Sequence, residues 1–208
     1  MTPEIAKSTS HQFLRDHGIP INEHLPLLES RAELKPQNAE AVARRCVVLS
    51  YVIGLAYGAD VAKLNQYLKD IGLISYASAK EKELLGRTKH TDKEKINAGW
   101  LAECVQSLAW CLGLVELDPF RGCDENLSSH FPRPFVDPSE FIAKAKLRPF
   151  DEIYQKADLH YRLHWAARNS RLTGTPCAVS EELIMERRKP LDWVIGVEED
   201  WDEVPGDT

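Results

Sequence analysis

Apolar residues recur at intervals of three and four along much of the chain, which is the spacing of one face of an α-helix. The longest run begins at Trp100 and ends at Val115. A second run lies between Cys46 and Tyr57, where only a serine and a glycine interrupt the apolar residues. Both runs are too short to cross a bilayer. They therefore predict two helices of the core.

The segment 150–170 has a different pattern, because its apolar residues fall on two opposite sides of a helix drawn at about 100° per residue. One side carries Phe150, Ile153, Tyr154, Ala157, Tyr161 and Trp165, and the other carries Leu159, Leu163 and Ala166. The polar stripe that remains consists of Asp151, Gln155, Asp158, Arg162 and Asn169. A helix with so little hydrophilic surface is enclosed by other helices. We therefore predict that this segment is the buried central helix.

Capping residues mark the starts of several helices. Ser78 and Thr91 are each followed three residues later by a glutamate, which is the capping-box pattern. Asp137 stands before a proline, a combination typical of a helix start. Ser180 begins the last predicted helix, in which Pro190 is expected to produce a kink or a break.

Two segments lack helical spacing. Residues 19–26 contain two prolines among apolar residues and are expected to cross the helices as an extended strap. Residues 118–137 contain three more prolines and predict a long irregular loop, a feature that often serves as a lid or a binding surface. The whole pattern predicts an all-α fold, with residues 1–208 forming a single compact multi-helix domain.

The charge of the chain is unevenly distributed. Its formal net charge is −6, and six of its 32 acidic residues lie in the segment 197–208, which has no basic residue. The rest of the chain carries 26 acidic and 26 basic residues. A general nucleic-acid-binding protein normally has a basic excess, so the composition argues against that class.

The cysteines and the N-terminus bear on the compartment. The chain has five cysteines, an odd number, and no CxxC pair, which favours a reducing environment over secretion. The N-terminus has no apolar stretch of signal-peptide length, and no run of about 18 apolar residues occurs anywhere. We therefore expect a soluble cytoplasmic protein that does not insert into a membrane.

His160 and His164 are four residues apart, so both rings project from one side of the predicted helix. This spacing suits a divalent metal or a proton relay, with Glu103 or Glu186 as the carboxylate. The glutamate of an HExxH zinc motif is missing. Structural histidines that only orient the packing are the competing interpretation, and no cofactor is assigned.

A pocket beside the central helix is one functional hypothesis. With a metal it would support a histidine-dependent hydrolase. Without one, Arg162 and Arg187 could clamp an anionic ligand next to Tyr161. Asp158 and Arg162 are also four residues apart and are expected to form an ion pair on the helix surface.

The acidic end supports the preferred hypothesis, a binding protein without catalytic activity. Trp201 lies between Asp200 and Asp202, and an aromatic side chain among carboxylates suits a basic protein partner. The alternative is that Trp201 only attaches the chain end to the core. The sequence leaves the partner and the oligomeric state open.

Several runs of residues carry a resemblance to a known family. They are LHYRLHWA at 159–166, Glu186-Arg187-Arg188 with Leu191-Asp192-Trp193, DWDEV at 200–204, Ala43-Arg44-Arg45 and the helix 100–113. They are similar to the bacterial domain-of-unknown-function family 4272, and the similarity extends from about Phe13 to the C-terminus. The resemblance implies no activity, cofactor or catalytic residue. It does imply that the acidic segment 197–208 is part of the domain and docks on it.

Overall fold

The computed structural model describes residues 1–207, and within them the chain forms eight α-helices, three short 3₁₀ helices and no strand. The α-helices are α1 (Pro3–Asp16), α2 (Ala39–Ile53), α3 (Val61–Asp70), α4 (Ala79–Leu85), α5 (Asp92–Cys111), α6 (Ser139–Lys144), α7 (Phe150–Thr173) and α8 (Glu181–Ile195). The 3₁₀ helices are Gly54–Tyr57, Leu73–Tyr76 and Leu127–His130. The prediction of an all-α fold is confirmed. Thr208, the last residue of the predicted acidic segment, lies outside the described residues.

Three helix starts follow the capping signals of the sequence, whereas the N-cap of α6 is Pro138 rather than the predicted Asp137 and makes no side-chain cap. The side chains of Ser78 and Thr91 accept hydrogen bonds from the backbone N–H three residues on, and Glu81 and Glu94 complete both capping boxes. The side chain of Ser180 likewise accepts a hydrogen bond from the backbone N–H three residues on, at the start of α8. These bonds satisfy backbone donors that have no partner inside the helix.

The large helices pack as a series of neighbours. The central helix α7 lies between α1 and α8, α8 also packs against α5, and α5 packs against α2. The N-terminal and C-terminal halves of α7 belong to different hydrophobic clusters. Ile153 and Tyr154 join the large cluster built on α2 and α5, whereas Leu159 and Leu163 join a smaller cluster with Leu14 of α1. The predicted burial of this helix between other helices is confirmed.

The helix α8 continues through Pro190, so the predicted break is absent. A proline has no N–H, which leaves the carbonyl four residues earlier without its helical donor. That carbonyl belongs to Glu186, and the thiol of Cys104 on α5 lies 3.1 Å from it. A tertiary hydrogen bond thus replaces the missing helical one.

The residues between α1 and α2 contain no helix and cross α7 to reach the end of α8. The hydroxyl of Tyr154 donates to the carbonyl of Glu29, and the N–H of Lys35 donates to the carbonyl of Gly196. Gly196 has a φ of 86°, and a Cβ atom there would lie 2.2 Å from the carbonyl of Lys35. The close crossing therefore requires glycine at this position.

No helix within residues 1–207 is both long and apolar enough to cross a membrane.

Candidate functional site

His160 is completely buried in α7. Its Nδ1 lies 2.8 Å from the carbonyl of Lys156, and its Nε2 is buried without a hydrogen-bond partner. Burial lowers its pKa to about 3, with a smaller contribution from the charge of Lys156. The imidazole is therefore neutral at pH 7.

His164, one turn later, is also buried. Its Nδ1 lies 3.3 Å from a guanidinium nitrogen of Arg188, so the neutral ring accepts a hydrogen bond there. Burial, and then the charge of Arg188, lowers its pKa to about 4. Within residues 1–207 no group of three or more His, Cys, Asp and Glu side chains is arranged to hold a metal ion.

The polar stripe of α7 is buried at Asp158 and Arg162, which corrects the expectation of a surface ion pair, whereas Asp151 at the start of the stripe is exposed. Asp158 and Arg162 are both buried, and the guanidinium donates to the two carboxylate oxygens at 2.9 and 2.8 Å. Gln155 donates to Ser10 of α1. The stripe is polar because it meets polar groups of neighbouring segments.

Glu103 of α5 and Arg187 of α8 form a second buried pair at 2.8 Å. The other oxygen of Glu103 accepts the N–H of Cys123, and Arg187 also donates to the carbonyl of Asp118. This pair therefore fastens the start of the irregular loop to two helices.

Arg162 and Arg187 bind different carboxylates and different carbonyls, with Arg162 reaching Pro26 and Arg187 reaching Asp118. Both guanidinium groups are thus engaged with a carboxylate and a carbonyl, and Nη1 of Arg162 is buried without a hydrogen-bond partner. The carboxylate of Glu186 lies 3.4 Å from the thiol of Cys104, and burial raises its pKa. The predicted carboxylates Glu103 and Glu186 thus contact Arg187 and Cys104 rather than either histidine.

Tyr161 lines a cavity of about 230 Å³ that also contacts Arg188 and Asp192. The guanidinium of Arg188 lies 4.7 Å from the centre of the Tyr161 ring. Arg188 also donates to Oδ2 of Asp192 at 2.9 Å. This pair was not predicted from the sequence, although its spacing of four residues on a predicted helix is the signal of an ion pair.

The proposed partner contact Trp201 is 6% exposed. Its ring meets Trp193 edge to face at 5.4 Å, and the guanidinium of Arg45 lies 4.1 Å from its centre. Asp202 accepts the N–H of Lys80 at the start of α4, whereas Asp200 is exposed. The indole of Trp201 is therefore not available to a partner.

The end of the long irregular loop carries an exposed aromatic side chain. Phe135 is 51% exposed and has a φ of 65°, in the left-handed region. Its N–H donates to the hydroxyl of Tyr51 at 2.8 Å, and its ring meets those of Tyr51 and Tyr67 edge to face. We call residues 131–136 the aromatic loop. The sequence gives no local signal for this conformation, because phenylalanine rarely has a positive φ.

A cavity of about 360 Å³ lies beside the aromatic loop. Its walls are mostly apolar and come from α2, α3 and the loop itself: Tyr51, Leu64, Pro132, Pro134 and Phe135. Asp60 and Lys63 also line it, and both are exposed. An apolar cavity with a polar rim is the usual form of a recognition site.

A family model with the description "Domain of unknown function (DUF4272)" matches residues 6–204 of the chain. The resemblance found in the sequence is therefore confirmed. No curated protein and no solved structure matches the chain.

Proposed function

We propose that this chain, which belongs to the DUF4272 family, is a binding protein without catalytic activity that recognises a partner protein through the aromatic loop. The proposed unit is the single domain of residues 1–208, including the acidic segment 197–208. The burial of Trp201 and Val204 supports including that segment.

The conformation of Phe135 carries the proposal. A left-handed backbone costs a phenylalanine roughly 1–3 kcal/mol, and such strain persists where the surrounding structure imposes it, often at ligand contacts. Here the hydroxyl of Tyr51 and two aromatic rings hold the residue, yet half of its side chain faces solvent. A rigid exposed aromatic ring is the kind of group that dominates binding energy in protein interfaces.

The cavity beside Phe135 indicates the chemistry of the partner. Its apolar walls suit one large aliphatic or aromatic side chain, inserted next to Phe135. Asp60 and Lys63 have opposite charges and lie 3.9 Å apart, so the rim has no net preference for an acidic or a basic partner. A protein fits this site better than a nucleic acid, because the cavity lining has one acidic and one basic residue and so lacks a basic excess.

The state of the buried ionisable groups supports binding over catalysis. Asp158 and Glu103 are held by arginines, and both histidines of α7 are neutral at pH 7. A general acid or base needs a pKa close to the working pH and access to a substrate. All four side chains are buried and so lack access to a substrate, and the pKa values of the two histidines are lowered to about 3 and about 4.

The proposed location is the cytoplasm of a bacterium. The five cysteines are free, and three of them are buried in α2 and α5. Buried free thiols fit a reducing compartment. The family to which the chain belongs was identified from the sequence as a bacterial family, and this supports a bacterial origin.

The test is a selection of displayed random peptides on the immobilised full chain, followed by calorimetric titration of the enriched peptides. We expect the enriched peptides to share a large apolar residue. Phe135→Gly removes the ring but suits the positive φ, so it should weaken binding by about tenfold or more without loss of folding. Ile96→Ala, at an exposed apolar side chain of α5, is the matched control and should bind as the wild type does.

Two results would contradict the proposal. One is a selection that enriches no peptide above a blank surface. The other is a set of enriched peptides that bind the Phe135→Gly variant as tightly as the wild type.

A further inference from the structure

A second apolar cavity borders the aromatic loop. It has a volume of about 600 Å³, and Pro132 is the one residue that lines both this cavity and the smaller cavity beside Phe135. Its apolar walls come from the residues after α5, from the loop and from the region of α6: Leu112, Leu114, Pro132, Val136, Phe141 and Ala145. The aromatic loop therefore stands between two apolar cavities.

The loop is held in a defined turn. The N–H of Val136 donates to the carbonyl of Arg133 at 3.1 Å. Pro134 is second in this turn, and Phe135, with a φ of 65°, is third. A type II turn has this arrangement, with proline favoured at the second position and a positive φ at the third. The fixed φ of proline and the bond from Phe135 to Tyr51 pre-organise the turn, so a partner loses little entropy in ordering it.

The turn carries an exposed apolar surface. Phe135 is 51% exposed and Val136 is 52% exposed. Phe135 lines the smaller cavity, whereas Val136 lines the larger one. Because these two residues are neighbours in the chain, their side chains connect the two cavities across the turn. Exposed apolar surface of this kind is typical of protein interaction sites.

The charges near this surface favour an acidic group. Among the charged residues that line the larger cavity, Glu140 and Lys144 pair at 2.5 Å, and Asp137 accepts the N–H of the second residue after it. Lys146 also lines this cavity. Lys146 and Arg133 of the turn are exposed and form no ion pair within residues 1–207. The turn and the larger cavity thus carry three cations and two carboxylates, and the two unpaired cations complement an acidic side chain.

We propose that the partner inserts two large apolar side chains, one into each cavity, and carries an acidic residue that binds Arg133 and Lys146. This inference rests on the proposed function, because it defines the partner of the same site. One apolar side chain contacts Phe135 in the smaller cavity, and the other contacts Val136 and the walls of the larger one. The partner segment is therefore defined by three side chains rather than by a single inserted residue.

The first test titrates the enriched peptides against two variants near α6. Ala145→Phe fills the larger cavity, and we expect it to weaken binding by about tenfold or more. Ala143→Phe adds the same ring at an exposed residue that lines neither cavity. This matched control should bind the peptides as the wild type does. Equal affinities of the two variants would overturn the inference.

The second test concerns the acidic residue of the partner. Lys146→Gln should weaken binding several-fold, and the loss should be greater at low ionic strength than at high ionic strength. Lys93→Gln, at an exposed lysine that lines neither cavity, is the matched control. Enriched peptides without a shared acidic residue, or equal binding to both lysine variants, would contradict the charge assignment.

Alanine scanning of the peptides keeps the test decisive if Ala145→Phe does not fold. We expect two apolar positions in each peptide at which alanine weakens binding by about tenfold or more. A single sensitive apolar position would overturn the inference. Peptides that lose affinity for Phe135→Gly but have one such position would leave the proposed function intact, so the two failures are distinguishable.

Discussion

The helices α2 and α7 are both deeply buried, but their buried residues differ in kind. Arg45 and Tyr51 are the polar side chains among the nine buried residues of α2. The thirteen buried residues of α7 include Asp158, His160, Arg162 and His164. Burial of α2 therefore depends mainly on packing, whereas burial of α7 depends on specific polar partners.

The two kinds of burial respond differently to substitution. An apolar residue loses contact area and leaves a cavity when it is truncated. A buried charge that loses its partner keeps its full desolvation cost. Because more of its buried side chains are charged, α7 should be the more sensitive helix to single substitutions. In α2 we expect a second substitution to restore stability only at Arg45, which forms a buried ion pair with Glu81.

The largest expected effect is at the Asp158–Arg162 pair. Asp158→Leu leaves the guanidinium of Arg162 buried without its carboxylate, and we expect it to lower the free energy of unfolding by about 3–5 kcal/mol. Adding Arg162→Met removes the unpaired charge and should recover most of the loss. Denaturation in guanidinium chloride measures both variants. A double variant no more stable than Asp158→Leu alone would contradict this account of α7.

Truncation of Leu49 in α2 is the matched apolar change. This side chain is fully buried in the large hydrophobic cluster, and Leu49→Ala should lower the free energy of unfolding by about 2–5 kcal/mol through lost contacts and a cavity. The loss should be the same at pH 5 and pH 7, because no ionisable group is involved. A clear pH dependence of the loss, measured in parallel denaturation curves, would remove the distinction between the two helices.

The histidines of α7 predict a dependence on pH. Their folded pKa values, about 3 and about 4, lie below the unfolded value of 6.5. The unfolded chain therefore binds more protons, and stability present above pH 6.5 is lost as the pH falls towards those values. Each histidine contributes a slope of up to about 1.4 kcal/mol per pH unit.

The carboxyl group of Asp192 contributes to the pH dependence of stability with the opposite sign. Its folded pKa of about 6 exceeds the unfolded value of 3.8, so its contribution to stability is present below pH 3.8 and is lost as the pH rises through 6. The combined slope of these three groups between pH 4 and 6 should thus correspond to about one proton rather than two. Thermal melting of His160→Gln across this range should show a smaller slope than the wild type. An unchanged slope would show that the pKa of His160 is not lowered by burial.

The smallest expected effect is at the hydrogen bond between the thiol of Cys104 and the carbonyl of Glu186. Cys104→Ala removes the donor to the Glu186 carbonyl and should cost about 1 kcal/mol beyond the loss of packing. In a Pro190→Ala background the N–H of residue 190 can bond that carbonyl, so this part of the cost should vanish. A double-mutant cycle measures the difference. Cys111→Ala, at another fully buried cysteine of α5, should show no such coupling with Pro190→Ala.

Several features of the fold could be predicted because local residues decide them. The capping boxes at Ser78 and Thr91 depend on bonds within four residues. The enclosure of α7 followed from apolar residues on two opposite sides, since such a helix has no face for water. Both predictions are confirmed by the fold.

Other features could not be predicted because distant residues decide them. The sequence suggested a surface pair for Asp158 and Arg162, but α7 buries both residues, and the carbonyl of Pro26 accepts from the guanidinium. A kink or a break was expected at Pro190, but α8 continues without a break, and the thiol of Cys104 supplies a donor to the carbonyl that the proline leaves free. The left-handed backbone of Phe135 depends on the hydroxyl of Tyr51.

The sequence alone determined the helical class, the main helix starts and the burial of α7, because these depend on periodicity and on hydrogen bonds between near neighbours. Only the tertiary structure decided which buried polar groups meet. It placed Trp201 inside the domain, paired Glu103 with Arg187 and left Oδ1 of Asp192 without a donor. The physical reason is that a buried charge takes its partner from whichever segment packs against it, and a one-dimensional pattern does not contain that choice.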